Sequence, residues 1–168
     1  MTTHTDTPWQ TWHDAAARRD IDRALRDLYA RLDADIASRG PTCWTSGRCC
    51  NFDAFGHRLY VTGLEIAWFR QHAPSPNTRT PPASPLSLPQ LQLPAACRYQ
   101  VDGKCSTHAV RPLGCRIFFC QTGTEHWQHE LYEQYLNDLR ELHDREALPY
   151  AYMEWRAGLI EADAALPT

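Results

Sequence analysis

Apolar residues recur at steps of three and four through Ile21, Leu25, Leu28, Leu32 and Ile36, which draws one stripe along a helix. The spacing predicts a helix from about Trp12 to Arg39, capped by Thr11 with Asp14 in its first turn and ended by Arg39-Gly40-Pro41. The stretch HRLYV, His57 to Val61, reads as a short strand. Thr62-Gly63-Leu64-Glu65 has the spacing of a capping box and opens a helix carrying Leu64, Ile66, Trp68 and Phe69, which stops near His72. A second long stripe, Trp127, Leu131, Tyr135, Leu139 and Leu142, predicts a helix from Thr124 to about Leu148. After Pro149 a last helix holds Tyr152, Trp155 and Leu159.

The middle of the chain breaks these rhythms. Seven prolines fall in the 22 residues from Ala73 to Pro94, which excludes a continuous helix or a central strand there. This segment is expected to be an extended surface connector tethered by Leu86, Leu88, Leu91 and Leu93. Beyond it, Asp102-Gly103 between short β-prone runs signals a tight hairpin, with Cys97 and Cys105 on its arms. Ser106 to Val110 fits one helical turn, stopped before Pro112. The fold class is therefore α+β and mostly helical: long helices around a small, irregular, cysteine-rich centre with a short hairpin. Residues 1–168 are read as one cysteine-cluster domain with a proline-rich insertion at about 73–94.

Charge and composition narrow the function. The chain has 168 residues, a formal net charge of −3 and no Lys/Arg block longer than two, so nucleic acid is not the expected partner. The first residues lack a basic segment followed by an apolar one, and no apolar run approaches the roughly 18 residues of a membrane span. A cytoplasmic protein with no membrane partner is expected. No phosphate-binding glycine loop, no Ser–His–Asp order and no H-E-x-x-H is present.

Seven cysteines stand out against this background: Cys43, Cys49, Cys50, Cys97, Cys105, Cys115 and Cys120. In a reducing compartment, clustered thiols point to metal rather than to a disulfide framework, and the odd count excludes complete pairing within the chain. In CWTSGRCC, Gly47 permits a backbone reversal and Arg48 puts a positive charge beside thiolates. The spacing matches neither a zinc ribbon nor a bacterial ferredoxin nor a C-x-x-C redox pair. Arg48, Arg111 and Arg116 each lie within four residues of a cysteine, where a guanidinium can donate to sulfur. His57 and His108 are placed to complete a Cys₃His set, whereas His4, His13, His72, His126, His129 and His143 read as surface or terminal residues.

The stretches CWTSGRCCNF, CRYQVDGKCSTHAVRPLGCR and FFC resemble the zinc- or iron-chelating cysteine-cluster family, the CxxCxxCC or YkgJ type. The resemblance covers Thr42 to Cys120 apart from the proline insertion. It departs at Ser46, where the family pattern has an eighth cysteine. What it implies is metal binding, and the expected centre draws on the seven cysteines to hold an iron–sulfur cluster or zinc; the residues themselves favour iron–sulfur ([4Fe–4S]), because adjacent Cys49 and Cys50 are expected to diverge. Related cysteine clusters occur in a flagellin lysine methylase, so an enzyme using the cluster for redox or methyl-transfer chemistry is the alternative, with a thiol-based interaction module the third reading. One centre with three spare thiols and two centres completed by a histidine both stay open.

Overall fold

The computed structural model describes residues 8–43, 47–76 and 93–166. The first predicted helix is two helices, α1 (Pro8–Ala16) and α2 (Arg19–Arg39), separated at an extended Arg18 (φ −73°, ψ 135°). Packing explains the break. The buried face of α1 is Trp9, Trp12, Ala15 and Ala16, and that of α2 begins at Ile21. Continuing the α1 face at helical spacing would bury Arg19 or Asp20 in place of Ile21. Pro8 starts α1, where its missing N–H is harmless, so Thr11 lies inside the helix and does not cap it. Gly40 ends α2 in the left-handed region, φ 60°, as its sequence predicts.

A short helical turn (Arg48–Cys50) and α3 (Phe52–Phe55) follow, then β1 (Tyr60–Thr62) and α4 (Gly63–His72). Thr62 and Glu65 form the full capping box at the start of α4. Residues 77–92 of the insertion, with the leucine tethers Leu86, Leu88 and Leu91, lie outside the described residues, as does Ser46. The hairpin is β2 (Gln100–Val101) and β3 (Lys104–Cys105), turned by Asp102 and Gly103 at φ 50° and 75°. Cys105 sits on one arm, whereas Cys97 precedes the other. After a turn at His108–Val110 comes α5 (Leu113–Ile117), a helix the Pro-flanked sequence did not reveal. Then come α6 (Glu125–Arg145), β4 (Tyr152–Glu154) and α7 (Trp155–Ala165).

Tyr152 is therefore in a strand and not in the last helix. β4 pairs antiparallel with β1, Val61 opposite Met153, and the ladder is extended by Trp155 N–H donating to Leu59 O at 2.8 Å. Mostly helical, with two small two-stranded sheets, the fold has the expected α+β character. One apolar core joins α1, α2, α4, α6 and α7 through Leu25, Leu32, Leu64, Ile66, Trp68, Leu139 and Trp155. Each such side chain contributes about 1.5–3 kcal/mol on burial.

Two buried polar residues tie this scaffold together, and the first of them reaches a cysteine-bearing segment. Glu65, 1 % exposed, accepts from Thr62 N–H, Thr62 Oγ1, Tyr29 Oη and Leu113 N–H. It thereby links α2 and α4 to the start of α5. Burial is the largest influence on its carboxyl and raises its pKa. Protonation of Glu65 thus favours the fold, and its share of stability is lost as pH rises from the ordinary 4.5 through the raised value. Glu65→Gln removes one acceptor oxygen and is expected to cost about 1–3 kcal/mol. That deficit narrows from acid to neutral pH in paired denaturant titrations, and a deficit that widens would contradict this account. His143, expected at the surface, is fully buried and donates through Nδ1 to Pro149 O, which also accepts from Trp12 Nε1.

Candidate metal centre

The two halves of the cysteine pattern meet across the insertion through the backbone. Cys97 N–H donates to Cys50 O at 2.7 Å and Asp53 N–H to Ala95 O at 3.1 Å. The first loop also seats on the hairpin: Gly47, at φ 70°, accepts from Gln100 Nε2 at 2.9 Å through its carbonyl. Trp155 Nε1 donates to Cys97 Sγ at 3.4 Å, while Asp163 pairs with both Arg70 and Arg98, fixing the segment before the hairpin to α4 and α7.

All seven cysteines are free, and they divide between two adjoining cavities. The inner one, about 20 Å³, is lined by Cys49, Cys50, Cys97, Cys105 and Cys115 over a floor of Phe52, Phe69 and Trp155. The outer one, about 170 Å³, is lined by Cys43, Cys49, Cys105 and Cys120 together with His108. Cys49, Cys105 and Arg111 belong to both.

Cys49 and Cys50 do not diverge as neighbouring side chains were expected to: their Sγ atoms are 3.8 Å apart. Two thiolates on one tetrahedral zinc, at about 2.3 Å each, stand about 3.8 Å from one another. Among the described residues, no three His, Cys, Asp or Glu side chains lie within common reach of one ion. The donor chemistry suits a thiophilic metal, and a third ligand has to turn toward the existing pair.

The thiols differ electrostatically. Cys50 is placed between Cys105 and Cys49, and the hydrogen bonds it gives them push its own pKa up, with desolvation adding to the effect. The same bonds lower Cys49 to about 7 and Cys105 to about 5, against desolvation. Thr107 and the Arg111 charge also lower Cys105. Desolvation is the first cause raising Cys97 and Cys115. Near neutral pH the group thus holds thiolate character on the two cysteines shared by both cavities.

Of the three arginines, Arg111 is the one among the thiols, anchored by bonds to His108 O and Cys115 O at 3.1 and 3.3 Å. Arg116 turns away: it binds Asp33, Ala109 O and Arg111 O and lies 4.4 Å over the Tyr29 ring. It braces the backbone that carries Arg111. Arg48 stacks over Phe55 at 5.2 Å. His108 lines the outer cavity, and its pKa is lowered first by desolvation and then by Arg111, which favours the neutral, ligand-competent ring. His57 donates through Nε2 to Cys49 O at 3.3 Å and stacks on Phe118, but lines neither cavity.

No protein-family model matches the chain, and neither does any curated protein or solved structure. Among the described residues, no helix is long and apolar enough to cross a membrane.

Proposed function

We propose that this protein binds a metal through its clustered cysteines and works in the cytoplasm. The observation that carries the reading is the gathering of seven thiols from separate segments around two cavities that share Cys49, Cys105 and Arg111. A structural reason for so many thiols is weak here, since a core of leucines, isoleucines and aromatic residues already exists beside them. The inner cavity is close to the volume of a single water and suits one zinc or iron ion. Cys50, Cys97 and Cys115 would join one of the shared thiolates around it. Arg111 offsets the negative charge that four thiolates place on such a centre.

A second reading follows from the outer cavity. It is several times larger and presents four thiols, the number that a [4Fe–4S] cluster takes. Bound there, a cluster would supply electron-transfer chemistry, and Arg111 and the His108 ring would lie beside it. Either metal is compatible with the donor set, so the experiment must separate them.

Metal analysis and an absorption spectrum of protein purified without oxygen provide the test. Zinc without visible absorption supports the inner-cavity ion, and iron with sulfide and visible charge-transfer bands supports the cluster. Cys105→Ser, which alters both cavities, is expected to leave only a small fraction of the wild-type metal. Cys43→Ser, which alters the outer cavity alone, leaves zinc in place but removes a cluster. Wild-type protein with less than a tenth of an equivalent of either metal would overturn the proposal.

A further inference from the structure

A third concavity, of about 340 Å³, shares Cys49 and Cys115 with the inner cavity and is at the small end of ligand cavities. Its composition sets it apart. Six large apolar side chains are exposed among the described residues, and three of them, Tyr60, Tyr152 and Phe118, line this cleft. Isolated exposed aromatics are ordinary on protein surfaces, whereas aromatics collected in one concavity form a platform for a ring. The rings are already aligned in pairs: Tyr60 stacks on Tyr152 at 5.5 Å and 23°, and His57 on Phe118 at 4.8 Å and 10°.

The charge of the cleft is equally specific. No aspartate or glutamate lines it, although the chain as a whole is net negative, and the cleft's one thiol with thiolate character is Cys49. Arg58 is its one arginine or lysine, exposed and without an ion pair or hydrogen bond among the described residues. Other arginines on the molecule are taken up: Arg18, Arg26, Arg31, Arg70, Arg98, Arg116 and Arg156 all pair with carboxylates. A further polar group lacks a partner. With Nε2 of His57 donating to Cys49 O, Nδ1 is left as an acceptor, and it is buried without a hydrogen bond. Buried acceptors of that kind are uncommon in native structures and call for an explanation.

We infer that this cleft binds a small planar aromatic acid, its ring on the Tyr60–Tyr152 and Phe118 side chains and its anionic group paired with Arg58. A hydroxyl or amino donor on the ring would satisfy His57 Nδ1 once the His57 ring turns that buried atom toward the cleft it lines. The cleft shares Cys49, Cys115 and Phe118 with the thiol cavities, whereas Arg58 and both tyrosines line this cleft alone, so variants at those three residues test it separately from the metal.

The probe is 6-hydroxy-2-naphthoate, with 2-naphthoate and the uncharged 6-hydroxy-2-naphthamide beside it. Binding to the full chain is followed by ligand-observed NMR and calorimetry, with metal content measured on the same samples. The expected Kd for the hydroxy acid is on the order of 0.1–1 mM, with both analogues weaker. Arg58→Gln should weaken the acid about tenfold and leave the amide unchanged, as loss of one charge-assisted contact does. Tyr152→Leu should weaken both, and Arg26→Gln, which removes a remote arginine, neither. No binding by the wild-type chain, or equal binding by acid and amide, overturns the inference. So does binding that Arg58→Gln and Tyr152→Leu leave untouched. Wild-type chain that purifies with less than a tenth of an equivalent of metal yet binds the probe would count against the metal proposal alone, and metal-loaded chain that ignores the probe would count against this cleft alone.

Discussion

Removal of the metal by a chelator lowers the melting temperature by about 10–20 °C while leaving most of the helical signal intact. Structural zinc contributes about 10–16 kcal/mol in zinc-finger peptides, which have no fold without it. This chain has a core of its own, with Leu25, Leu32, Leu64, Ile66 and Leu139 fully buried and lining none of the thiol cavities. A net contribution of about 5 kcal/mol is accordingly expected, and at this chain length each 1 kcal/mol moves the transition about 2–4 °C. The metal-free chain should also acquire a pH dependence with two limbs. Cys49 and Cys105 are lowered from the ordinary 9.0 to about 7 and about 5. Their contribution is present above 9.0 and is lost as pH falls through those values, so stability rises with pH across that window. Cys50, Cys97 and Cys115 are raised from the same 9.0. Their contribution is complete below it and is lost at higher pH, which makes the upper limb fall. In the loaded protein the ligating thiols carry no proton, so metal loss on acidification replaces both limbs. Melting curves across pH, with and without chelator, check this. Identical curves for the two forms would refute a metal contribution to the fold.

The elements legible in the sequence are those whose signal is local. The Thr62–Glu65 capping box, the Asp102-Gly103 turn and the stripe of α6 each need only a few neighbouring residues to be specified, and each is found where it is predicted. What escaped the sequence depends on partners far along the chain. Tyr152 is a strand residue because Thr62 lies opposite it. The break at Arg18 separates two buried faces, and that of α1 packs Trp12 against Gly63, at the start of α4, where no Cβ stands in the way. His143 is buried by the Pro149 carbonyl and the Tyr150 ring, which its helical spacing does not disclose. The thiols were legible as a group, yet their division was not. Cys49 and Cys105 are shared by two cavities because the hairpin folds back onto the first loop, a tertiary event with no spacing signature. The cleft beside them was invisible for the same reason. Tyr60 and Tyr152 become one aromatic platform only through the pairing of β1 with β4.

Gly47→Ala should destabilise the protein by about 3–4 kcal/mol and remove most of its metal, although no ligand is altered. Gly47 has φ 70° and ψ 4°, a conformation in which an L side chain costs about 1–2 kcal/mol. A methyl group there would also stand 2.0 Å from Gly103 O and 2.8 Å from Gln100 Nε2. The glutamine can swing aside, with loss of its 2.9 Å bond to Gly47 O. The Gly103 carbonyl is held by the hairpin turn and cannot, so the loop must lift, at the further 1–3 kcal/mol typical of overpacking. Lifting the loop moves Cys49 and Cys50 away from Cys105, the thiols on which both cavities depend. Two other glycines separate this contact from backbone strain. Gly40 and Gly56 have φ 60° and 65° but nothing within 4 Å of an added Cβ. Gly40→Ala and Gly56→Ala should each cost only about 1–2 kcal/mol of left-handed strain and keep the metal. Denaturant titrations and metal analysis of the three variants decide the matter. Wild-type metal content in Gly47→Ala, or equal metal loss in all three, would show that the seat of the loop on the hairpin does not hold the thiols together.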